Sequence, residues 1–261
     1  LAFWHGLTVR TYQVKSEKID LPTRWVVLTD LHDSLYGPNQ SELIEKIREQ
    51  KPDYVLFVGD IADEFGSHSE TKQLLTIICR EYRCFYVTGN HEYWSYQVEE
   101  IEDIIRSNGV TILEGNTDFL QVNGQKLSIC GVDDPDGFDP VYATASAFSS
   151  WQDELGSCQK STAPSIYSIL LSHRPELVEE YIRSGFDLVL AGHAHGGQIR
   201  IPGILNGLYA PDQGFFPKYA GGRYPMGGTT MIVSRGLSLK KGIPRIFNPP
   251  ELVVIDLEPI E

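Results

Sequence analysis

Three polar residues that can bind a metal ion recur at equal intervals in the first part of the chain. Asp30, Asp60 and Asn90 are thirty residues apart, and each follows a short apolar run that predicts a β-strand. Two later apolar runs end at His173 and His193 in the same way. Carboxylate, carboxamide and imidazole groups together suit divalent ions such as Mn²⁺, Fe²⁺ or Zn²⁺. The pattern therefore predicts a metal centre assembled by several loops.

The histidines are concentrated in these same loops. Five of the seven histidines lie there, namely His32, His91, His173, His193 and His195. One histidine after a strand is more often structural, but five that share a predicted edge with two aspartates favour metal binding. The candidate ligands are Asp30, His32, Asp60, Asn90, His173, His193 and His195. Seven ligands are too many for one tetrahedral ion and fit two divalent ions, about 3.5 to 4 Å apart, that share a carboxylate.

Alternating strands and helices explain how distant loops could meet. Apolar runs at 26–29, 54–58 and 84–87 alternate with helical patterns at 43–47, 74–78 and 98–105. This order predicts parallel strands joined by right-handed crossovers, which bring the carboxyl ends of the strands to one edge. The turn at Asn123 and Gly124 predicts a hairpin, so we expect mixed sheets. Residues 133–164 have little apolar periodicity and are expected to form a long surface excursion, which could include one short helix, rather than a domain linker.

The composition limits the class of protein. The 22 basic and 35 acidic residues give a net charge of −13, which disfavours tight nucleic-acid binding because such binding needs a cationic face. We expect one catalytic domain over residues 1–261. The cysteines form no CxxC pair and are interpreted as core thiols: Cys79, Cys84, Cys130 and Cys158.

The beginning of the chain, LAFWHGL, has two interpretations. It is either the trimmed end of a longer apolar anchor, which would associate the protein with a membrane, or an ordinary start before the first strand. No run in the sequence approaches the roughly 18 apolar residues of a membrane span. Localisation is therefore left open.

Five ordered motifs carry a family resemblance. TDLHD, GDIAD, GNHE, SHRP and GHAHGG, from about Val26 to Gln198, resemble the calcineurin-like metallophosphoesterase family. The resemblance implies an α/β fold, a four-layered α/β/β/α sandwich of two mixed β-sheets. It also implies that Asp30, His32 and His195 bind one ion, that Asn90, His173 and His193 bind the other, and that Asp60 bridges them. His91 resembles the family's catalytic histidine, which is not a ligand.

The tail of the chain is similar to a bacterial branch of the family. The segments APDQGFFPKY, VSRGL and FNPPELVVI carry this second resemblance, and members of that branch often have an amino-terminal membrane anchor. Protein serine/threonine phosphatases of the superfamily place an arginine after the second aspartate of GDxxD. Here Glu64 follows Asp63, so a phosphoprotein substrate is disfavoured.

The expected activity is hydrolysis of a phosphodiester or pyrophosphate by a hydroxide that bridges two divalent ions. The substrate would be a small phosphorylated or lipid-linked phosphate compound. Alternatives are a phosphomonoesterase, a protein phosphatase, or a binding scaffold without catalysis. The scaffold requires lost ligands or a lost catalytic histidine, and this sequence lacks none of them.

Four further residues have two interpretations each. Asp63 either orients a ligand histidine or caps a helix. Arg174 either grips a substrate phosphate or pairs with acids. Phe215 and Phe216 belong to an aromatic segment, 205–226, that could form an apolar lip for a lipid or nucleoside group. The alternative for this segment, packing in the core, is the commoner role of aromatic residues.

Overall fold

Two six-stranded β-sheets form the centre of the molecule. The computed structural model describes residues 6–144, 146–161, 163–239 and 244–260. The strands are β1 (Thr8–Ser16), β2 (Thr23–Leu28), β3 (Tyr54–Val58), β4 (Arg83–Val87), β5 (Thr111–Ile112), β6 (Thr117–Val122), β7 (Gln125–Gly131), β8 (Tyr167–Leu171), β9 (Leu188–Ala191), β10 (Tyr209–Ala210), β11 (Gly214–Phe215), β12 (Gly222–Met226), β13 (Thr229–Val233) and β14 (Glu251–Pro259). The helices are α1 (Ser41–Gln50), α2 (Ser69–Glu81), α3 (Asn90–Trp94), α4 (Val98–Ser107), α5 (Trp151–Ser161) and α6 (Val178–Ser184).

Both sheets are mixed. The first has the order β1-β14-β2-β3-β4-β5, in which β2 to β5 run parallel and β14 is antiparallel to β2. The second has the order β12-β13-β9-β8-β7-β6, in which β13, β9, β8 and β7 run parallel. The predicted hairpin is confirmed, since β6 and β7 pair antiparallel across Asn123 and Gly124.

Alternating side chains of the central strands enter different layers of the core. Trp25 and Val27 of β2 pack between the two sheets, whereas Val26 and Leu28 pack against helices α1, α2 and α4. Helices α5 and α6 cover the outer face of the second sheet. The central strands read as continuous apolar runs because both of their faces are covered. The predicted four-layered α/β/β/α sandwich is confirmed.

The segment 133–164 differs in part from its prediction. Pro135–Phe138 forms a 3-10 helix, and α5 packs on the second sheet through Trp151, Leu155 and Cys158. Helix α5 of this segment therefore belongs to the outer helical layer, whereas residues 139–144 and 146–150 lie at the surface, as expected. The apolar positions of α5 keep helical spacing, but the polar residues between them weakened the periodic signal.

The interpretation of all four cysteines as core thiols is wrong for one pair. Cys130 at the end of β7 and Cys158 of α5 form a disulfide, with their Cα atoms 5.8 Å apart. The sequence could not indicate this pair, because only the packing of α5 on the sheet brings the two residues together. Cys79 and Cys84 are free thiols.

The described part of the chain contains no helix with both the length and the apolar character of a transmembrane span. Residues 1–5, which include most of the segment interpreted as an anchor end, lie outside the described residues.

Candidate metal centre

Five loops at one edge of the two sheets carry every candidate ligand. The loops after β2, β3 and β4 come from the first sheet, and those after β8 and β9 come from the second. Six of the seven candidates are buried, and His195 is partly exposed. The loops therefore meet at one edge, as expected from the carboxyl ends of the strands. That these side chains bind ions stays a prediction.

The candidate ligands form two clusters that share one carboxylate. Ligand atoms of Asp30, His32, Asp60 and His195 lie within 4.8 Å of one another, and so do those of Asp60, His173 and His193. Asp60 Oδ2 lies 3.5 Å from His32 Nε2 in the first cluster and 3.1 Å from His173 Nε2 in the second. Asp60 is the member common to both clusters.

Several buried atoms of these clusters have no hydrogen-bond partner among the described residues. They are Asp30 Oδ2, His32 Nδ1, His32 Nε2, Asp60 Oδ2, Asn90 Oδ1 and His173 Nε2. Buried polar atoms rarely stay unsatisfied, and here most are electron-pair donors that converge. His173 Nδ1 is 2.9 Å from the Val58 carbonyl, which makes Nδ1 the protonated nitrogen and directs the lone pair of Nε2 inward. These donors fit divalent cations of the kind that bind nitrogen and oxygen.

Asn90 reaches the same centre through its neighbours. The backbone N–H of His91 donates to Asp60 Oδ1 at 2.9 Å. On the other side, a Cβ added to Gly89 would lie 2.3 Å from Asp60 Oδ1. The two neighbours of Asn90 in sequence, Gly89 and His91, therefore both approach the carboxylate of Asp60. The Oδ1 atom of Asn90 itself bonds no described residue.

The backbone of the centre adopts an uncommon conformation. Left-handed φ values occur at Asp30 (50°), His32 (48°), Asp60 (53°), His193 (64°) and His195 (46°). Such values in non-glycine residues cost roughly 1–3 kcal/mol each and cluster at functional sites. Loop contacts maintain them: Asp30 N–H donates to the Gly59 carbonyl and His32 N–H to the Asp60 carbonyl, both at 3.0 Å.

The electrostatics of the clusters are dominated by the two aspartates. Burial raises the pKa of Asp60, but the nearby histidines, above all His173, outweigh burial and hold it well below its usual range. Burial alone would lower the pKa of His173, yet the charges of Asp60 and Asp30 raise it to about 10. Burial lowers the pKa of His195 to about 3. The centre is therefore a buried anionic site that attracts cations, whether protons or metal ions.

Comparison with known proteins identifies the family. The model of the calcineurin-like phosphoesterase family matches residues 23–197, which include all seven candidate ligands and His91. The chain belongs to the calcineurin-like phosphoesterase family. Members of this phosphoesterase family hydrolyse phosphoesters and generally bind divalent metals.

Relatives of this chain come from several bacteria. An uncharacterized metallophosphoesterase from Campylobacter jejuni is 32% identical over 96% of this chain, and one from Aquifex aeolicus is 30% identical over 97%. The chain spans 64% of the length of the Campylobacter protein and 92% of the Aquifex protein. Phosphodiesterase YaeI of Escherichia coli is 26% identical over 90% of this chain and 82% of its own length.

Solved structures share the phosphoesterase fold. NAD nucleotidase of Haemophilus influenzae superposes with a TM-score of 0.53 at 16% identity, covering 84% of this chain and 46% of that one. Phosphopantetheinyl hydrolase of Mycobacterium tuberculosis gives a TM-score of 0.52 at 13% identity, covering 85% of this chain and 94% of that one. At such identities the likeness concerns the fold.

His91 lies at the rim of the candidate metal centre. Its Nε2 is 4.0 Å from Asp60 Oδ2, and its side chain is 16% exposed. Its Nδ1 lies 3.0 Å from Glu64 Oε1 and 3.5 Å from Asp63 Oδ1. Asp63 Oδ1 is 3.8 Å from His32 Nδ1, which is too far for a hydrogen bond, and it accepts the Glu64 N–H at 2.8 Å. An orienting role for Asp63 therefore stays a prediction. The sequence identified Glu64 as a departure from the phosphatases but gave no sign of its contact with His91.

Glu92 is a residue of the centre that sequence reasoning could not place. Its buried carboxylate accepts the backbone N–H groups of Asp60, Ile61, Ala62 and Gly89 at 2.8 to 3.1 Å. It therefore ties the loop after β3 to the loop after β4. Burial, with the charge of Asp60, raises its pKa to about 7. Its place in the GNHE motif was the only available signal, and adjacency in sequence does not give the direction of a side chain.

Arg174 is occupied by acids rather than free to bind phosphate. Its Nε and Nη2 donate to the two carboxylate oxygens of Asp134 at 2.6 and 2.8 Å. Nη2 is also 3.1 Å from Asp136, and Nη1 donates to Asp212. The side chain is only 7% exposed. Of the two interpretations of Arg174, these contacts favour pairing with acids.

The aromatic segment divides between surface and interior. Phe215 and Phe216 are 71% and 69% exposed, and Tyr209 of the same β10–β11 hairpin is 43% exposed. Tyr219, in contrast, is buried against the outer cluster of the second sheet. The hairpin adjoins the metal centre because Phe216 N–H donates to the Leu208 carbonyl and Leu208 N–H donates to the Gly197 carbonyl. The exposed pair is thus available as an apolar surface near the centre.

Proposed function

We propose that the chain hydrolyses a phosphodiester or pyrophosphate bond with two divalent metal ions held by the seven candidate ligands. The observation that carries this proposal is the pair of clusters that share Asp60, since a shared carboxylate is typical of two-ion hydrolases. Asp30, His32 and His195 would complete one site, and Asn90, His173 and His193 the other. When bound, the ions would activate water and offset the charge of the phosphoryl group.

His91 is the proposed proton donor to the leaving group. The acids Asp63 and Glu64 lie on its Nδ1 side, while its Nε2 lies on the side of Asp60. In the imidazolium form, Nδ1 would donate to these acids and Nε2 would direct its proton toward the centre, where it could protonate a departing oxygen or stabilise its charge. General acid catalysis of this kind typically contributes about 10² to 10⁴ in rate.

Three features support a small diester or pyrophosphate, including a lipid-linked one, as the substrate. Glu64 stands where the protein phosphatases have an arginine, and its Oε1 lies 3.0 Å from His91 Nδ1. Phe215 and Phe216 offer an apolar surface beside the centre. One relative bears the name phosphodiesterase, and two structural neighbours are named for small phosphorylated compounds, NAD and phosphopantetheine.

We further propose that residues 1–261 act as one catalytic domain. Strand β1, near the beginning of the sequence, pairs in parallel with β14, near its end, along nine residues. Both strands lie in the sheet that supplies Asp30, Asp60 and Asn90.

A substrate panel tests the proposed function. Catalytic efficiency would be measured with Mn²⁺ on an aryl phosphodiester, an aryl phosphomonoester, a nucleoside pyrophosphate and a phosphopeptide. We expect hydrolysis of the diester or the pyrophosphate to exceed that of the monoester and the phosphopeptide, and to cease with a chelator. A strong preference for the phosphopeptide, or full activity with the chelator, would refute the proposal.

A further inference from the structure

Asp212 lies at the tip of the β10–β11 hairpin and contacts a candidate ligand directly. Its Oδ2 is 2.8 Å from His193 Nε2 and accepts a second hydrogen bond from Arg174 Nη1. The side chain is half exposed. Neither the sequence motifs nor the family match, which ends at residue 197, assigns a role to this residue.

The contact with Asp212 determines which nitrogen of His193 is free. Asp212 Oδ2 is the nearer partner of His193 Nε2, at 2.8 Å against 3.3 Å for Arg174 Nη1. Because a carboxylate can only accept, we assign the proton to Nε2, which leaves Nδ1 with a lone pair. Ligand atoms of His193, His173 and Asp60 lie within 4.8 Å of one another. A carboxylate on the far nitrogen of a metal-binding imidazole fixes its tautomer and ring orientation and makes it a stronger ligand.

Asp212 is not placed to bind an ion of its own. Asp212, His193 and Glu176 are close enough to form a third cluster of possible ligands. Arg174 Nη1 already lies among them, bonded to Asp212 and 3.3 Å from His193 Nε2. The guanidinium supplies the positive charge that a metal would bring, and two of its nitrogens are fixed by Asp134.

The hairpin holds Asp212 in a defined position. Gln213, the next residue, accepts the Tyr219 N–H through its Oε1 at 2.9 Å. Asp212 has a left-handed φ of 56°, as His193 does at 64°. Both residues thus have an uncommon backbone conformation, and their side chains are joined by a hydrogen bond. Such conformations persist where tertiary contacts maintain them.

We propose that Asp212 is a positioning residue for His193, which it holds with Nδ1 toward Asp60 and His173. The β10–β11 hairpin, which also carries the exposed Phe215, would then be linked to the affinity of one ion. This inference rests on the two-ion part of the proposed function but not on the identity of the substrate.

Binding of Mn²⁺ to metal-depleted protein tests the role of Asp212. Titration calorimetry and the electron paramagnetic resonance of free Mn²⁺ would be used on wild type, Asp212→Ala, Asp212→Asn and Asp212→Glu. We expect Asp212→Ala to lower the affinity for one of the two Mn²⁺ ions by roughly 10- to 100-fold and to leave the affinity for the other unchanged. Asp212→Glu should restore part of this loss, because it keeps a carboxylate.

Glu179→Gln is the matched control. Glu179 is exposed on α6, so its replacement removes one negative charge from the surface without touching the centre. We expect its two binding constants to equal those of the wild type. Mn²⁺ binding constants in Asp212→Ala that equal those of the wild type would overturn the proposal. An equal loss of affinity for both ions would also overturn it.

A proton signal gives a second measurement that does not depend on folding yield. In Zn²⁺-loaded protein with ¹⁵N-labelled histidine, the Nε2–H of His193 should exchange slowly in wild type and lose that protection in Asp212→Ala. An unchanged signal would contradict the contact. Two bound ions without hydrolysis of any substrate would defeat the proposed function alone, whereas a wild type that binds fewer than two ions would defeat both.

Discussion

Asp60 stands where the two clusters of candidate ligands meet. Its Oδ1 accepts the His91 N–H, which leaves Oδ2 toward His32 and His173. Removing its charge should affect both proposed ions, whereas loss of any other aspartate or histidine of the centre should affect mainly one. The role of a bridge therefore predicts a distinct pattern of metal loss.

Asp60→Asn should lower the affinity of the protein for both metal ions. An asparagine oxygen can still accept the His91 N–H, so we expect the fold to persist while the cation affinity falls. Elemental analysis after dialysis against a fixed low metal concentration would measure this, with Asp103→Asn on the exposed face of α4 as the control. Two retained equivalents with full activity would show that Asp60 does not bridge.

His91→Gln should reduce turnover by about 10² to 10⁴ while the metal content stays at the wild-type value. The reason is that His91 lies at the rim, with its Nδ1 on Glu64, and is assigned to proton transfer rather than coordination. Steady-state kinetics and elemental analysis on the same preparation separate the two roles. Loss of one metal equivalent in this variant would show that His91 is a metal ligand, contrary to its assigned role.

At the scale of elements, the sequence predicted the parallel strands and the loops that follow them. Strands buried on both faces read as continuous apolar runs, and their carboxyl ends must meet at one edge, so Asp30, Asp60 and Asn90 could be placed without coordinates. Features that depend on tertiary contacts could not be predicted in this way. Helix α5, the Cys130–Cys158 disulfide and the contact of Asp212 with His193 depend on which surfaces pack together, which local periodicity does not encode.

The β10–β11 hairpin is the element that the lip hypothesis concerns. Because Phe215 and Phe216 are mostly exposed, the double alanine variant should change the free energy of unfolding by only about 0.5 kcal/mol per site. We expect catalytic efficiency to fall for diesters with a bulky apolar group and to be retained for small ones. Phe119→Ala, on the edge strand β6, is the control. Equal efficiency of the double variant and wild type on every apolar substrate would refute the lip.

At the scale of the whole molecule, a net charge of −13 places many carboxylates near one another, and some are buried. Glu154 of α5 accepts the backbone N–H of Asp133, and both residues are buried. Burial and the neighbouring Asp133 raise the pKa of Glu154 to about 9, and burial raises the pKa of Asp133 to about 7.

Stability should therefore decline as the pH rises. The folded protein retains protons that the unfolded chain releases near about pH 4, so the contribution of these groups is complete below that pH and is lost toward about pH 9. Glu154→Gln carries no charge at any pH and should show a shallower decline. Urea unfolding of the chelated protein at about pH 5, 7 and 9 measures this. Identical pH profiles for variant and wild type would contradict the shifted pKa.

Anomalous X-ray diffraction from crystals grown with Mn²⁺ would show whether two ions lie on either side of Asp60. We expect two anomalous peaks about 3.5 to 4 Å apart, with Asp60 between them, His32 and His195 beside one peak and His173 and His193 beside the other. A single peak at full occupancy in excess Mn²⁺, or two peaks that Asp60 does not bridge, would contradict this expectation.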